Sequence, residues 1–393
     1  MENRKVYFDN ASTTYVGNEA LREMMPVFSN FYGNPSSLHS FGREAVKLVD
    51  DARDRVAKAI GAKSSEIYFT SGGTEANNLA IKGLAYANRY KGNHIITSCI
   101  EHSSVLEACK QLEKEGFEVT YLKVDAHGLV NFADLLHYIK SDTILISIMT
   151  ANNEIGTIQH MQAIAQTANE KGIIFHTDAV QAVGSISFNV DAMGIDAMSI
   201  SSHKIYGPKG VGCLFVRDGV KIQSIISGGK QERGVRGGTQ NVPAIVGFGK
   251  AIEVAVRDMS INNKKIKSLK EYFIKRITES IDDIYINGHQ MQRVQGIVSV
   301  SFDCVNAEAV LTMLDMQGIA VSIGSACESG SVEPSHVLKE IGLDDVLAKG
   351  TIRFSFGKSN TKEEIDYLIE KLVPIIEKLR SISPLRKKKR KED

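Results

Sequence analysis

Short apolar runs rich in β-branched residues alternate with longer amphipathic stretches through the first 220 residues, and this alternation limits the fold more than any other feature of the sequence. EIYFT (66–70), HIITS (94–98), EVTYLKV (118–124), TILISIM (143–149), IIFHTD (173–178), AMSISS (197–202) and GVGCLFV (210–216) read as strands. Helical patterns lie between them: Leu79, Gly83, Leu84 and Ala87 share a face, 104–115 is a second helix, and 160–171 a third that ends at Gly172 as its C-terminal cap. Continuously apolar strands are covered on both faces, so the pattern predicts an α/β fold with a mostly parallel sheet between helices. The register changes after about residue 255. A long charged helix is predicted over 261–281, then strands at 297–302, 318–323 and 351–356 with helices near 307–317, 334–341 and 361–380. Fewer helices per strand predict a smaller α+β domain. The 393 residues fit two to three domains at roughly 150 residues each.

Composition removes several function classes. No apolar run approaches the roughly 18–20 residues of a membrane helix, and MENRKVYFDNAS has too few apolar residues for a secretory signal. Five cysteines (Cys99, Cys109, Cys213, Cys304 and Cys327) are an odd number without CxxC spacing. A disulfide framework or a zinc site is therefore not expected, and a reducing, cytoplasmic setting is. Net charge is +1, but RKKKRK at 386–391 is followed only by Glu392 and Asp393, so the rest of the chain nets −3. That balance argues against direct nucleic-acid binding, and residues 386–393 read as a solvated, disordered basic tail.

Three segments carry candidate chemistry. TSGGTEANNLA (70–80) follows a strand and opens a helix, where small residues and free N–H groups suit an anion; a plain glycine turn is the simpler reading of the segment alone. In HTDAVQAVG (176–184), Asp178 ends an apolar strand, a ligand position in α/β proteins and equally a helix N-cap. In SISSHKIYGPKG (199–210), Lys204 follows another strand end, where a lysine can form a Schiff base, although most loop lysines are merely exposed. Together an anion loop, an aspartate and a lysine are the parts of a pyridoxal-phosphate site.

Across these motifs the chain resembles the fold-type-I pyridoxal-phosphate enzymes of aminotransferase class V, and among them the cysteine desulfurases of the NifS/IscS type. The likeness also rests on YFDNASTT (7–14), GNPSSLHSFG (33–42), EHSSVLEAC (101–109), ANNEIGTIQ (151–159), RGGTQNVPAIVG (236–247), GSACESGSVEPSHVL (324–338) and TIRFSFG (351–357). It implies a large cofactor-binding domain over 15–255 and a small domain from 1–14 and 256–385 carrying the catalytic cysteine loop. Lys204 would hold pyridoxal 5'-phosphate, Asp178 its ring nitrogen and Gln181 its ring hydroxyl oxygen. His102 would stack on the ring and relay protons. Gly73, Thr74, Ser201 and His203 would bind the phosphate, while Thr239 would reach the phosphate of a neighbouring subunit in a homodimer with shared active sites. Asn153, also at the cofactor, and Arg353 would hold the substrate carboxylate.

The resemblance makes Cys327 the nucleophile: it would take sulfur from L-cysteine as a persulfide, release L-alanine, and pass the sulfur to acceptors such as an iron–sulfur scaffold or a thiouridine synthase for tRNA thiolation. No resident metal is implied, although Cys327 could ligate a cluster transiently with a partner. GSACESGS reads as a mobile loop of small residues. A selenocysteine lyase or a class V aminotransferase would share Lys204 and Asp178; a transaminase needs no loop thiol. Two positions depart from the family pattern. Ile323 stands where Ser or Thr is usual, and Ser12 where Ala is common.

Overall fold

The computed structural model describes residues 4–324, 334–384 and 386. Among them, the apolar runs of the first half become β2 (Ile67–Thr70), β3 (His94–Ser98), β4 (Glu118–Leu122), β5 (Thr143–Ser147), β6 (Ile174–Asp178), β7 (Ala197–Ser201) and β8 (Gly212–Val216), which follow the short β1 (Val6–Tyr7). These seven make one sheet in the order β2-β8-β7-β6-β5-β3-β4. Strands β4, β3, β5, β6 and β7 are parallel, while β8 runs antiparallel to both β7 and β2. The sheet is thus mixed and mostly parallel, as the sequence predicts. Every residue of β3, β5, β7 and β8 is buried, whereas edge strand β4 buries only Leu122. Burial on both faces explains why these strands do not alternate apolar and polar side chains.

The helix Gly73–Asn88 lies on the sheet with Leu79, Ile81 and Leu84 buried. Its Gly83 is required by close packing, because a Cβ there would sit 2.6 Å from the Gln223 carbonyl oxygen. One long helix, Ser40–Ile60, has no counterpart among the sequence expectations. Its buried Ala45, Val49, Ala52, Val56 and Ile60 recur at three- and four-residue spacing, and it stops at Gly61 in the left-handed conformation (φ 70°). Small side chains blur that stripe: Ala52 fits against Gly249 of the helix Val242–Arg257, where a Cβ would lie 2.8 Å from the Ala52 Cα.

In the second half, β9 (Ile284–Asn287), β10 (Ile297–Phe302) and β12 (Thr351–Ser355) form an antiparallel sheet in the order β12-β10-β9, and β11 (Ile319–Ala320) pairs in parallel with β1. Val6 and Phe8 of the N-terminus share an apolar core with Phe273, Val300, Phe354 and Leu368. Ile323 packs against the same core, so the aliphatic side chain at this unusual position has apolar company. The last helix, Lys362–Ile382, opens with a capping box: Thr361 Oγ1 accepts from Glu364 N (3.3 Å) and Glu364 Oε2 from Thr361 N (3.2 Å).

His176 in β6 is fully buried between Ser147 Oγ (2.8 Å) and Ser199 Oγ (3.0 Å), and burial pushes its pKa down to about 3. His203, held down by burial and by Lys204 and Lys209, falls to about 4. An unfolded chain binds protons near 6.5 that these folded rings refuse, so their contribution is complete above about pH 6.5 and is lost as pH falls toward their folded values. The urea midpoint should drop between about pH 7 and pH 5. His176→Gln should shrink that drop, and an equal drop in wild type and variant would contradict the assignment.

Candidate active site

The C-terminal ends of the parallel strands and two helix N-termini converge on one cavity of about 200 Å³. Such strand ends are where open α/β sheets bind ligands. Gly73, Thr74, His102, Asn153, Asp178, Gln181, Ser201, His203, Lys204 and Arg353, ten of the predicted site residues, line it. Thr239 does not; it is exposed on the loop before the helix Val242–Arg257. Cys327 lies outside the described residues, but Gly324 before it and His336 after it both line the cavity.

Lys204, just beyond β7, reaches back to the N-terminal segment, donating to the carbonyls of Ala11 (2.5 Å) and Ser12 (2.8 Å). Gln181 Nε2 also donates to Ala11 O (2.8 Å). Asp178, at the end of β6, accepts from Val180 N on Oδ1 (2.9 Å) and from Asn77 Nδ2 on Oδ2 (2.7 Å). Asn77 also donates to Ser104 Oγ (2.8 Å), which lies 2.8 Å from His102 Nδ1. Since His102 Nδ1 accepts from Ser104 N (3.2 Å), it is an acceptor, which leaves Nε2 as the nitrogen that bears the ring proton. A continuous chain of hydrogen bonds therefore joins the aspartate to the histidine. The sequence reading missed Asn77 and Ser104, although both stand inside its motifs.

Glu101 was missed as well. It is fully buried, accepts from Ser98 Oγ and Met149 N on Oε1 (both 2.8 Å), and is pushed up to about 8 by burial. It is protonated at neutral pH, so it brings no second negative charge beside Asp178. Its backbone carbonyl accepts from His336 Nε2 (3.1 Å).

Arg353 in β12 is 3% exposed. It donates to Asn153 O (2.8 Å), Asp9 Oδ1 (3.1 Å) and Ser12 Oγ (2.6 Å). Ser12 Oγ in turn donates to Asp9 Oδ1 (2.7 Å), so the serine at this unusual position braces the guanidinium. The buried Arg353 Nε has no partner among the described residues, which leaves a donor for a carboxylate.

The groups around Gly73 and Ser201 fit a phosphate. The helix Gly73–Asn88 begins there, and its first N–H groups and dipole favour an anion. A Cβ on Gly73 would lie 2.8 Å from Val180 Cγ2, and the buried Ser201 Oγ has no partner among the described residues. An anion cradle, a lysine and a hydrogen-bonded carboxylate in one apolar-walled cavity fit the phosphate, aldehyde and ring nitrogen of pyridoxal phosphate.

This fold and site define a pyridoxal-phosphate enzyme, and the chain belongs to the family described as aminotransferase class V, whose model matches residues 6–368. Within it the chain belongs with the cysteine desulfurases. It is 52% identical to "Cysteine desulfurase IscS" of Dictyoglomus turgidum over 97% of each chain. A solved "NIFS-like protein" superposes with a TM-score of 0.90 at 39% identity, covering 95% of this chain and 100% of that one. A structure titled "SspA in complex with cysteine" matches with a TM-score of 0.81 at 40% identity, over 91% and 100%.

Proposed function

We propose that this cysteine desulfurase moves sulfur from L-cysteine onto Cys327 as a persulfide, releases L-alanine, and hands the sulfur to protein acceptors. One observation carries the reading: Lys204, Asp178, His102 and the buried Arg353 line one cavity together with Gly324 and His336, which stand on either side of Cys327 in the sequence. Bound pyridoxal phosphate supplies an electron sink for the substrate's α-carbon. Arg353 and Asn153 hold the substrate carboxylate, Asp178 pairs with the ring nitrogen, and His102 covers the ring with a proton available on Nε2. Lys204 anchors the cofactor and moves the α-proton.

Acceptors are an iron–sulfur scaffold or a tRNA-thiolating enzyme. The working setting is the cytoplasm; no described helix is long and apolar enough to cross a membrane. Residues 15–255 act as the cofactor domain, and 1–14 with 256–385 as the small domain, a division supported by the separate apolar core around Phe8 and Phe354. The unit is a homodimer that shares its sites through Thr239. Met25, Phe28, Tyr32 and Leu38, all within residues 25–38 and between 56% and 91% exposed, support burial of this segment against a second copy. Rates on L-cysteine, selenocysteine and an amino acid–keto acid pair test the reading: sulfide with equal alanine is expected from cysteine. Transamination as the main activity would overturn it.

A further inference from the structure

The segment 231–240, which carries Thr239, is held in a strained shape by buried charge. Glu232 and Arg233 both adopt left-handed backbone (φ 44° and 56°), which is costly for residues with a Cβ and persists only where the surroundings impose it. Here the cause is visible. The two positive φ values turn Glu232 inward, where it is 4% exposed, and its carboxylate takes two hydrogen bonds from the buried Arg53 (2.7 and 2.9 Å). Phe69 N (2.8 Å) and Gln240 Nε2 (2.5 Å) donate to the same group. Arg233 is turned the other way, over the Tyr68 ring (4.2 Å), with a hydrogen bond to Ile67 O (2.6 Å). Consecutive side chains thus hold β2, Glu232 at Phe69 N and Arg233 at Ile67 O.

The far part of the segment is tied to the phosphate cradle. Arg236 donates to both oxygens of Glu75 (2.9 and 3.3 Å), and Glu75 lies in the first turn of the helix that opens at Gly73. Gln231 Oε1 accepts from Gly238 N (3.1 Å), closing the segment on itself. Thr239 is left exposed between two pinned points, reaching no group of its own cavity. A strained, buried clamp around an exposed hydroxyl is accounted for if the hydroxyl works outside this chain.

We propose that Glu232 is a positioning residue for the active site of the second copy: it holds the segment so that Thr239 meets the partner's cofactor phosphate without an ordering cost on assembly. This rests on the shared-site homodimer proposed above. If Glu232 serves the partner's site by placing Thr239, the two must be coupled in cofactor retention.

The test is a double-mutant cycle on the holoenzyme, read as the rate of cofactor loss after dilution and checked by sedimentation. Thr239→Ala and Glu232→Gln should each speed cofactor loss by roughly tenfold, and the double variant should be no faster than the faster single one. The dimer should persist in all three. Rates that multiply in the double variant would mean that Glu232 only supports the general fold, and would overturn the proposal. If Glu232→Gln does not fold, Arg236→Gln replaces it: its side chain is 23% exposed, and the same lack of additivity with Thr239→Ala is expected. A wild-type monomer, or a Thr239→Ala dimer that keeps its cofactor, would sink the shared-site reading itself. A dimer in which Thr239→Ala loses cofactor but neither clamp variant does would sink the Glu232 proposal alone.

Discussion

Cys327→Ser should abolish sulfide release from L-cysteine while leaving the cofactor bound. Serine keeps the size of the side chain, but its hydroxyl cannot receive sulfur as a persulfide. The fall should be at least about a thousandfold, the scale on which removal of a nucleophile is felt. The remaining cysteines cannot replace it. Cys109, Cys213 and Cys304 are buried, and burial pushes the Cys109 and Cys213 thiols well above their usual range. Cys99, half-buried, is pushed up to about 12 by burial and by Glu340. Only a thiolate attacks sulfur at a useful rate. In the sequence Cys327 follows Gly324, which lines the cavity, by three residues. Sulfide release by Cys327→Ser at the wild-type rate would refute the assignment.

Lys204→Ala should be equally inactive for a different reason. In the proposed mechanism the lysine is both the covalent anchor of the cofactor and the amine that moves the substrate's α-proton, and alanine can be neither. Cofactor that does bind this variant should be removed completely by denaturation and filtration, whereas borohydride should fix it irreversibly to wild type. A borohydride-fixed cofactor in Lys204→Ala would move the anchor to another lysine. Ala11 O loses the amine but keeps its bond from Gln181 Nε2, so the variant should still fold, which a circular dichroism spectrum checks.

Much of this was legible in the sequence, for physical reasons. The strands could be read because both-face burial leaves unbroken apolar runs such as TILIS in β5. Asp178 and Lys204 stood out because strand ends place them where ligands bind. The helix Ser40–Ile60 was harder: its buried stripe is built largely of alanine and valine, and charged residues lie on the faces between. Asn77 and Ser104 could not be assigned at all. Their role is to connect Asp178 to His102 across two helix N-termini, and no local spacing encodes a contact between residues 101 positions apart. Glu101 was hidden likewise, since a carboxyl beside a histidine reads as surface charge until burial shows it to be neutral. Ser12 shows the opposite case. It was noticed as a departure, and its meaning came only with the bridge it makes between Asp9 and Arg353.

The central claim is that sulfur leaves cysteine for one thiol of this chain. The most direct measurement is the mass of the peptide bearing Cys327 after the holoenzyme meets L-cysteine without reductant and is quenched with an alkylating agent. The account predicts that this peptide gains one sulfur atom, with one alanine formed for each sulfur retained, and that a later reductant releases the sulfur as sulfide. Alanine formed while the Cys327 peptide keeps its original mass, or sulfur found instead on Cys99, Cys109, Cys213 or Cys304, would contradict it.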